Sequence, residues 1–517
     1  MTKKKRQAGR AAIVTRAESD GHTSSHKDIE LVFGLVGPTG VDLTAVCNAL
    51  KLQLAAVGYE PVVISLSELI PGYIKEDFKP ASEYDRIKEL MTIGTTLRAC
   101  TAQADIVARL GVARIRTVRE EKSGDRKKPA SRVAYIIRSF KRPEEVELYR
   151  DVYGKAFTLI SVYSPRVARI RHMERKFLKS AKTRKKAGEY AVELINRDYA
   201  EEDGKDYGQS VGETFPLADY FVTSGSASEI DNNIRRLVRL IFGDPYISPT
   251  RDEQGMFFAQ AAALRSLDLS RQVGAAVISS DGDLLSTGCN EVPKFGGGLY
   301  WEEDDNRARD FELGHDSNVT IKREIVEEMF AKLREANWLS DAAKKRSDAD
   351  LTDDSLTGNG RYLKNSKLFD VIEFGRAVHA EMAAITQAAK NGISLSGHRL
   401  FCTTFPCHIC ARHIISSGLS EVVFVEPYDK SRTGELYDDS ISIEPSELPR
   451  NKASFRAFVG VAPRRYMDLF TMTTHRKNAR GEILNSDEIA KQPKLKRFVL
   501  TYLIAEDIII NNTASVN

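Results

Sequence analysis

The chain has 517 residues, 42% of them hydrophobic and 29% charged, with a formal net charge of +4. This length allows two or three domains with full-sized cores, and the composition is that of an ordinary globular protein. A charge so close to balance does not by itself argue for a nucleic-acid partner, and no apolar run is long enough to span a membrane.

Residues 1–28 are polar and basic, with Lys3, Lys4, Lys5, Arg6 and Arg10, and they lack the apolar core of a signal peptide. They read as a flexible tail. The six cysteines fit a reducing compartment better than a disulfide framework. A soluble cytoplasmic protein is expected.

Ile29 to Val36 reads as a buried strand, followed by Gly37-Pro-Thr-Gly40-Val-Asp-Leu-Thr44 and a helix carrying Val46, Leu50 and Leu54. Strand, glycine turn and helix is the setting in which a P-loop cradles phosphates. Only Gly37, Gly40 and Thr44 fit that pattern, because Asp42 and Leu43 stand where its last glycine and its lysine belong. Without the lysine, bound phosphates lose their main side-chain counter-charge. Further strands at 62–66, 134–137, 157–162 and 218–222, alternating with helices, argue for a parallel α/β sheet. The stretch 29–245 resembles a small P-loop kinase, such as a nucleotide or dephospho-coenzyme A kinase. No acidic residue stands directly at the end of the third strand to hold Mg²⁺; the first, Glu144 and Glu145, come after Pro143. The resemblance therefore implies a degenerate kinase-like domain that binds a nucleotide or a partner without transferring phosphate. Lys182, Arg184, Lys185 and Lys186 read as a solvated helix face, with a lid or an RNA-facing patch as the alternative.

Gly243-Asp244-Pro245 and Ser248-Pro249 punctuate the chain. A second domain is expected over 250–475. It opens with a helix at 253–267 and two strands, 273–278 and 284–288, joined through Asp281-Gly282. A long insertion, 291–370, follows, with a helix at 319–338 and a mobile polar loop at 340–360. Then come a helix at 375–390, a strand at 400–403, a helix at 407–417 and a strand at 422–425. Residues 476–517 read as a C-terminal extension. Cys47, Cys100, Cys289 and Cys402 lie in or beside apolar stretches and are expected to be packed.

The strongest pattern is His379-Ala-Glu381, then 24 residues, then Pro406-Cys407-His-Ile-Cys410. One imidazole and two thiolates leave the fourth tetrahedral position of Zn²⁺ open, as catalytic zinc sites do. Cysteines in the first turn of a helix feel its unpaired N–H groups and dipole, which favour the thiolate. His379 and Glu381, two apart on a regular helix, would point in different directions, one to the metal and one to a substrate. A redox pair would explain neither residue. A closed structural site would need His408 or His413 as its fourth ligand.

The pattern H-x-E…P-C-x-x-C resembles the signature of zinc-dependent nucleobase deaminases. The segments Leu269-Ser-Arg-Gln-Val-Gly-Ala275 and Gly288-Cys-Asn290-Glu-Val-Pro293, with Arg376 and Ala411-Arg412, resemble deoxycytidylate deaminases specifically. That resemblance implies one sheet with helices packed against it, and Asn290 bonded to the deoxyribose or base. It makes Glu381 the proton shuttle, in a dry pocket that raises its pKa. The expected fold class is thus α/β throughout, a P-loop kinase-like parallel-sheet domain followed by a cytidine deaminase-like α/β/α domain. This layout resembles the bacterial anti-phage dCTP deaminases. It implies one catalytic Zn²⁺ per subunit and deamination of dCTP, with dCMP a second substrate, to starve a phage of a DNA precursor. It also implies control through the first domain by a nucleotide or RNA, and a homo-oligomer, a hexamer among the options. Arg307, Arg309, Lys430 and Arg432 are the candidate cations for a triphosphate. The alternatives are a polynucleotide cytosine deaminase and a housekeeping dCMP deaminase.

Overall fold

The computed structural model describes residues 29–73, 78–181, 183–201, 207–305, 308–358, 362–363, 366–427, 431–445, 449–473, 475–485, 493–494 and 501–513. The basic tail, Lys182, Arg307 and Lys430 lie outside these. The chain divides into two compact units, one up to Glu253 and again from Phe458, the other Gln254–Ala457.

The first unit is built on strands β1 (Leu31–Val36), β2 (Glu60–Ser65), β3 (Val133–Phe140), β4 (Phe157–Tyr163) and β5 (Tyr220–Thr223). They run parallel in the order β5-β4-β1-β3-β2. All six residues of β1 are buried, as a central strand covered by helices on both faces requires. Helices α1 (Leu43–Ala56), α2 (Glu83–Thr101), α3 (Ile106–Ser123) and α4 (Arg184–Tyr199) belong to the same unit. The expected alternation of strand and helix is present, with each of these strands within a few residues of its expected place.

Helix α5 (Arg251–Ala263) opens the second unit, whose strands are β6 (Gly274–Ile278), β7 (Leu284–Cys289), β8 (Arg399–Thr404), β9 (Glu421–Glu426), β10 (Ile441–Ile443) and β11 (Ala453–Ala457). The sheet order is β10-β11-β9-β8-β6-β7; β6 is antiparallel to both neighbours, and the remaining pairs are parallel. Two glycines let helices sit down on this sheet. A Cβ on Gly274 would lie 1.9 Å from the carbonyl oxygen of Ala259 in α5. A Cβ on Gly288 would lie 2.2 Å from that of Ala380, at the start of the later helix that carries the histidine motif.

In the insertion, α6 (Ser317–Glu335) buries only Val326. The stretch expected to be a mobile loop is partly helical instead, with a short turn at Asp341–Lys344 and α7 at Asp348–Leu356. Ser340 and Ser347 cap these helices, each with an aspartate in the first turn, and Arg334 pairs with Asp348 at 2.7 Å. Local capping and ion pairs order a polar stretch that buries little.

Helices α8 (Ala380–Lys390) and α9 (His408–Ser416) complete the second unit. Residues 458–473, expected with the second domain, belong to the first. There β12 (Gly460–Val461) pairs antiparallel with β5, and Glu253 accepts the N–H of Val461 at 2.8 Å. Helix α10 (Thr501–Asn511) also joins the first unit. Its Glu506 is fully buried, accepting from Arg119 at 2.5 and 2.8 Å and from the Tyr153 hydroxyl at 2.9 Å. Arg119 also bonds Glu30 at 3.0 Å. An acidic residue inside an apolar helix is tolerated because a buried cation, far away in sequence, awaits it. Among the described residues no helix is long and apolar enough to cross a membrane.

Candidate metal centre and substrate cavity

The expected helix at 375–390 begins only at Ala380, because His379 is extended (φ −64°, ψ 152°) and stands at the N-cap of α8. Val378 just before it bridges to Glu291. Leaving the helical path at His379 lets its ring and the Glu381 carboxylate converge on one place, where a regular helix would have parted them. Strand β8 leads through Phe405-Pro406 to Cys407, which is extended and N-caps α9, with Cys410 in the first turn. His379 Nδ1 lies 3.3 Å from Sγ of Cys407 and 3.3 Å from Sγ of Cys410. The Cys410 thiol donates to Glu381 Oε2 at 3.4 Å.

The three donor atoms all lie within 4.8 Å of one another. A tetrahedral Zn²⁺ with ordinary Zn–N and Zn–S bonds holds nitrogen and sulfur about 3.5 Å apart, so the trio is spaced for that ion. Among the described residues neither His408 nor His413 joins the cluster, so a fourth position stays open. A hydrogen bond from Cys410, opposed by burial and assisted by His379, brings the Cys407 thiol down to about 4. Cys410, the donor in that bond and deeply buried, is pushed up. His379 is raised to about 9 by its bond to Cys407. A site with this charge pattern gives up protons when a divalent cation enters. Burial raises Glu381 above the usual carboxylate range, and the Cys407 charge adds to the rise.

A cavity of about 280 Å³ opens onto this centre. Its wall includes His379, Glu381 and Cys407, the segment 268–271, Asn290, and Asp310, Asp316 and Arg376 around the insertion.

The family described as "Cytidine and deoxycytidylate deaminase zinc-binding region" matches residues 249–426, and a "MafB19-like deaminase" family matches 363–492. A cytidine and deoxycytidylate deaminase zinc-binding domain is present in this chain. The deoxycytidylate deaminase of Enterobacteria phage T4 is 40% identical over 76 residues, 14% of this chain and 38% of the phage protein. A probable deoxycytidylate deaminase of Drosophila melanogaster is 47% identical over 96 residues, 17% of this chain and 46% of the fly protein. The chain thus spans less than half the length of these curated relatives. The solved dCMP deaminase of cyanophage S-TIM5 is 17% identical, covering 41% of this chain and 99% of that one, with a TM-score of 0.21.

Within the deaminase domain, Asn290 lines the cavity, but its amide is engaged with backbone. Its Oδ1 accepts from Val273 N–H at 2.7 Å, and its Nδ2 donates to the Arg271 carbonyl at 2.8 Å. It therefore fixes the entry into β6 at the cavity wall. Arg309 does not line the cavity. Its guanidinium pairs with Glu312 at 2.9 Å and Glu302 at 3.5 Å and lies over the Phe311 ring. Arg432 pairs with Glu435 on the surface. The cations at the wall are Arg271 and Arg376, held by Glu426 at 2.8 Å and Asp310 at 2.9 Å. Both stood inside the motif segments, and sequence reasoning passed over them as framework. Cys47, Cys289 and Cys402 are buried as expected, whereas Cys100 is exposed.

In the first unit, Gly37 and Gly40 lie in the turn between β1 and α1, and Thr44 lies in the first turn of α1. Gly40 has φ +95°, and a Cβ there would lie 2.9 Å from the Arg169 carbonyl oxygen. Several N–H groups of the turn and the first turn of α1 are already taken. Asp42 accepts from Thr44 and Ala45 at 3.0 and 3.2 Å, and Asp198 accepts from Thr39 at 2.6 Å. The Thr44 hydroxyl accepts from Arg138 at 3.2 Å.

Proposed function

We propose that the second unit hydrolyses the 4-amino group of a deoxycytidine nucleotide, dCTP first and dCMP second, giving the deoxyuridine nucleotide and ammonia. The observation that carries this reading is the His379–Cys407–Cys410 trio, with both cysteines buried and the buried Glu381 in the first turn of the helix that starts on His379. When bound there, Zn²⁺ acts as a Lewis acid and makes water a nucleophile near neutral pH.

The chain's own residues supply the rest. Glu381, raised by burial, takes a proton from the attacking water and delivers it to ring N3, so that C4 accepts the new C–O bond. It then carries the second proton to the departing nitrogen as the C4–N bond breaks, and ammonia leaves. The wall around Asn290 holds the sugar and base, and Arg271 and Arg376 are the cations nearest to hand for phosphate oxygens.

Preference for dCTP, depletion of its pool in anti-phage defence, and control of the enzyme by a nucleotide or RNA through the first unit follow from the resemblance of the whole layout. Assembly into a homo-oligomer, with a hexamer the first state to look for by light scattering, follows from the same source. The deciding experiment is a panel of cytidine, dCMP, dCTP, CTP, single-stranded DNA and RNA, with the Glu381→Gln protein as blank. Turnover of dCTP is expected to lead. Turnover confined to the polynucleotides would replace this reading with that of a nucleic-acid editor, and dCMP as sole substrate would leave a housekeeping deaminase.

A further inference from the structure

A cavity of about 200 Å³ lies in the first unit beside the Gly37–Thr44 turn. Its wall carries Thr39 and Gly40 of the turn and four cations, Arg86, Arg98, Lys141 and Lys176, against one carboxylate, Glu83. Arg86 is already held by Glu83 at 2.7 Å, and Lys176 is exposed at the surface.

Arg98, on α2, is the unusual member. It is 2% exposed, and only its Nη2 is bonded, to Glu145 at 2.8 Å. Its Nε and Nη1 are buried with no hydrogen-bond partner among the described residues. Leaving two guanidinium donors dry and unanswered is costly. A native chain tolerates that where a ligand supplies the missing acceptor.

Lys141 also lines the cavity. Its Nζ donates to Asp198 at 2.7 Å, and the other oxygen of that carboxylate takes the Thr39 N–H at 2.6 Å. A backbone N–H of a glycine turn and a lysine, converging on one buried anion, are the partners that a phosphate oxygen would otherwise have. Asp198 is fully buried and sits on α4, far along the chain from the turn.

We propose that this cavity binds a phosphoryl group through Arg98 and Lys141, with the Asp198 carboxylate as the internal anion that competes for the lysine and the turn. The orphaned Arg98 N–H groups donate to its oxygens, and Lys141 turns part of its charge from Asp198 towards the ligand. Because Asp198 holds α4 to the turn, occupancy of the cavity loosens that helix, and the site is a point at which a phosphorylated metabolite acts on the first unit.

The test is calorimetric titration of the full-length protein with inorganic phosphate and, separately, with ATP. Binding to wild type is expected. A tighter constant for ATP assigns the site to a nucleotide, and an equal or tighter one for phosphate assigns it to the free anion. Arg98→Lys keeps a cation for Glu145 but removes the two orphan donors, and should weaken binding at least tenfold. Asp198→Asn keeps the shape, removes the competing charge, and should tighten binding about tenfold. If Arg98→Lys does not fold, Ser139→Asp replaces it. Ser139 lines the cavity at φ +74°, a conformation aspartate accepts, so the variant adds a negative charge without a new backbone demand. It should abolish binding. No binding of either probe to folded wild type overturns the proposal, as does binding that none of these changes alters.

Discussion

Both units bring a helix N-terminus to the end of a strand, and they spend its unpaired N–H groups differently. In the first, β1 runs into α1 through a turn where Asp198 takes the N–H of Thr39 and Asp42 takes those of Thr44 and Ala45, two carboxylates of the chain itself. In the second, α8 and α9 start on His379 and Cys407, and neither residue makes a side-chain capping bond. An acidic cap closes a helix end, while an uncapped one leaves its dipole to stabilise thiolate and whatever cation the thiolate binds. The same local geometry therefore gives a sealed junction in one unit and a reactive one in the other, and the choice rests on one or two side chains.

The largest expected effect tests the open junction. Glu381→Gln should keep a full equivalent of zinc and lose roughly 10²–10⁴-fold in kcat. Near-normal turnover with zinc bound would move proton transfer to another group. Cys407→Ala should lose the metal by elemental analysis and turnover with it, while the first unit keeps its far-UV signature. Loss of both units together would break the contrast.

The closed unit is tested through stability instead. Glu506→Ala removes one of the two carboxylates on a fully buried Arg119 and should cost roughly 3 kcal/mol in denaturant melts. It should leave the zinc content alone. The smallest effect is expected from Asp42→Ala. Loss of its cap on Thr44 and Ala45 costs about 1 kcal/mol of α1 stability. No change at all would mean that solvent replaces the cap and the junction is less sealed than its geometry implies.

The zinc trio and Glu381 were legible because their chemistry sits in short motifs, and spacing within a motif survives without knowledge of the fold. The exit of His379 from the helix was not legible, since Gly375 to Lys390 carries an unbroken helical period and only the bridge of Val378 to Glu291 holds the preceding chain extended. Arg309 read as a phosphate ligand because charge is visible in sequence and pairing is not; Glu302 and Glu312 claim it. The polar stretch after Ser340 read as a loop because composition does not register paired serine caps with aspartates behind them.

By itself the sequence determined the alternation of strands and helices, one imidazole and two thiols at the spacing of zinc ligands, and a carboxylate two residues from the imidazole. These depend on periodicity and on donor chemistry within a few residues. Only the tertiary structure decided that the chain returns to the first unit after Ala457, that Glu506 answers Arg119, and that Asp198 reaches the Gly37–Thr44 turn while Arg98 is left with two empty donors. The last two are buried charges whose partner, or lack of one, is set by residues distant in the chain, and burial is a property that no local pattern carries.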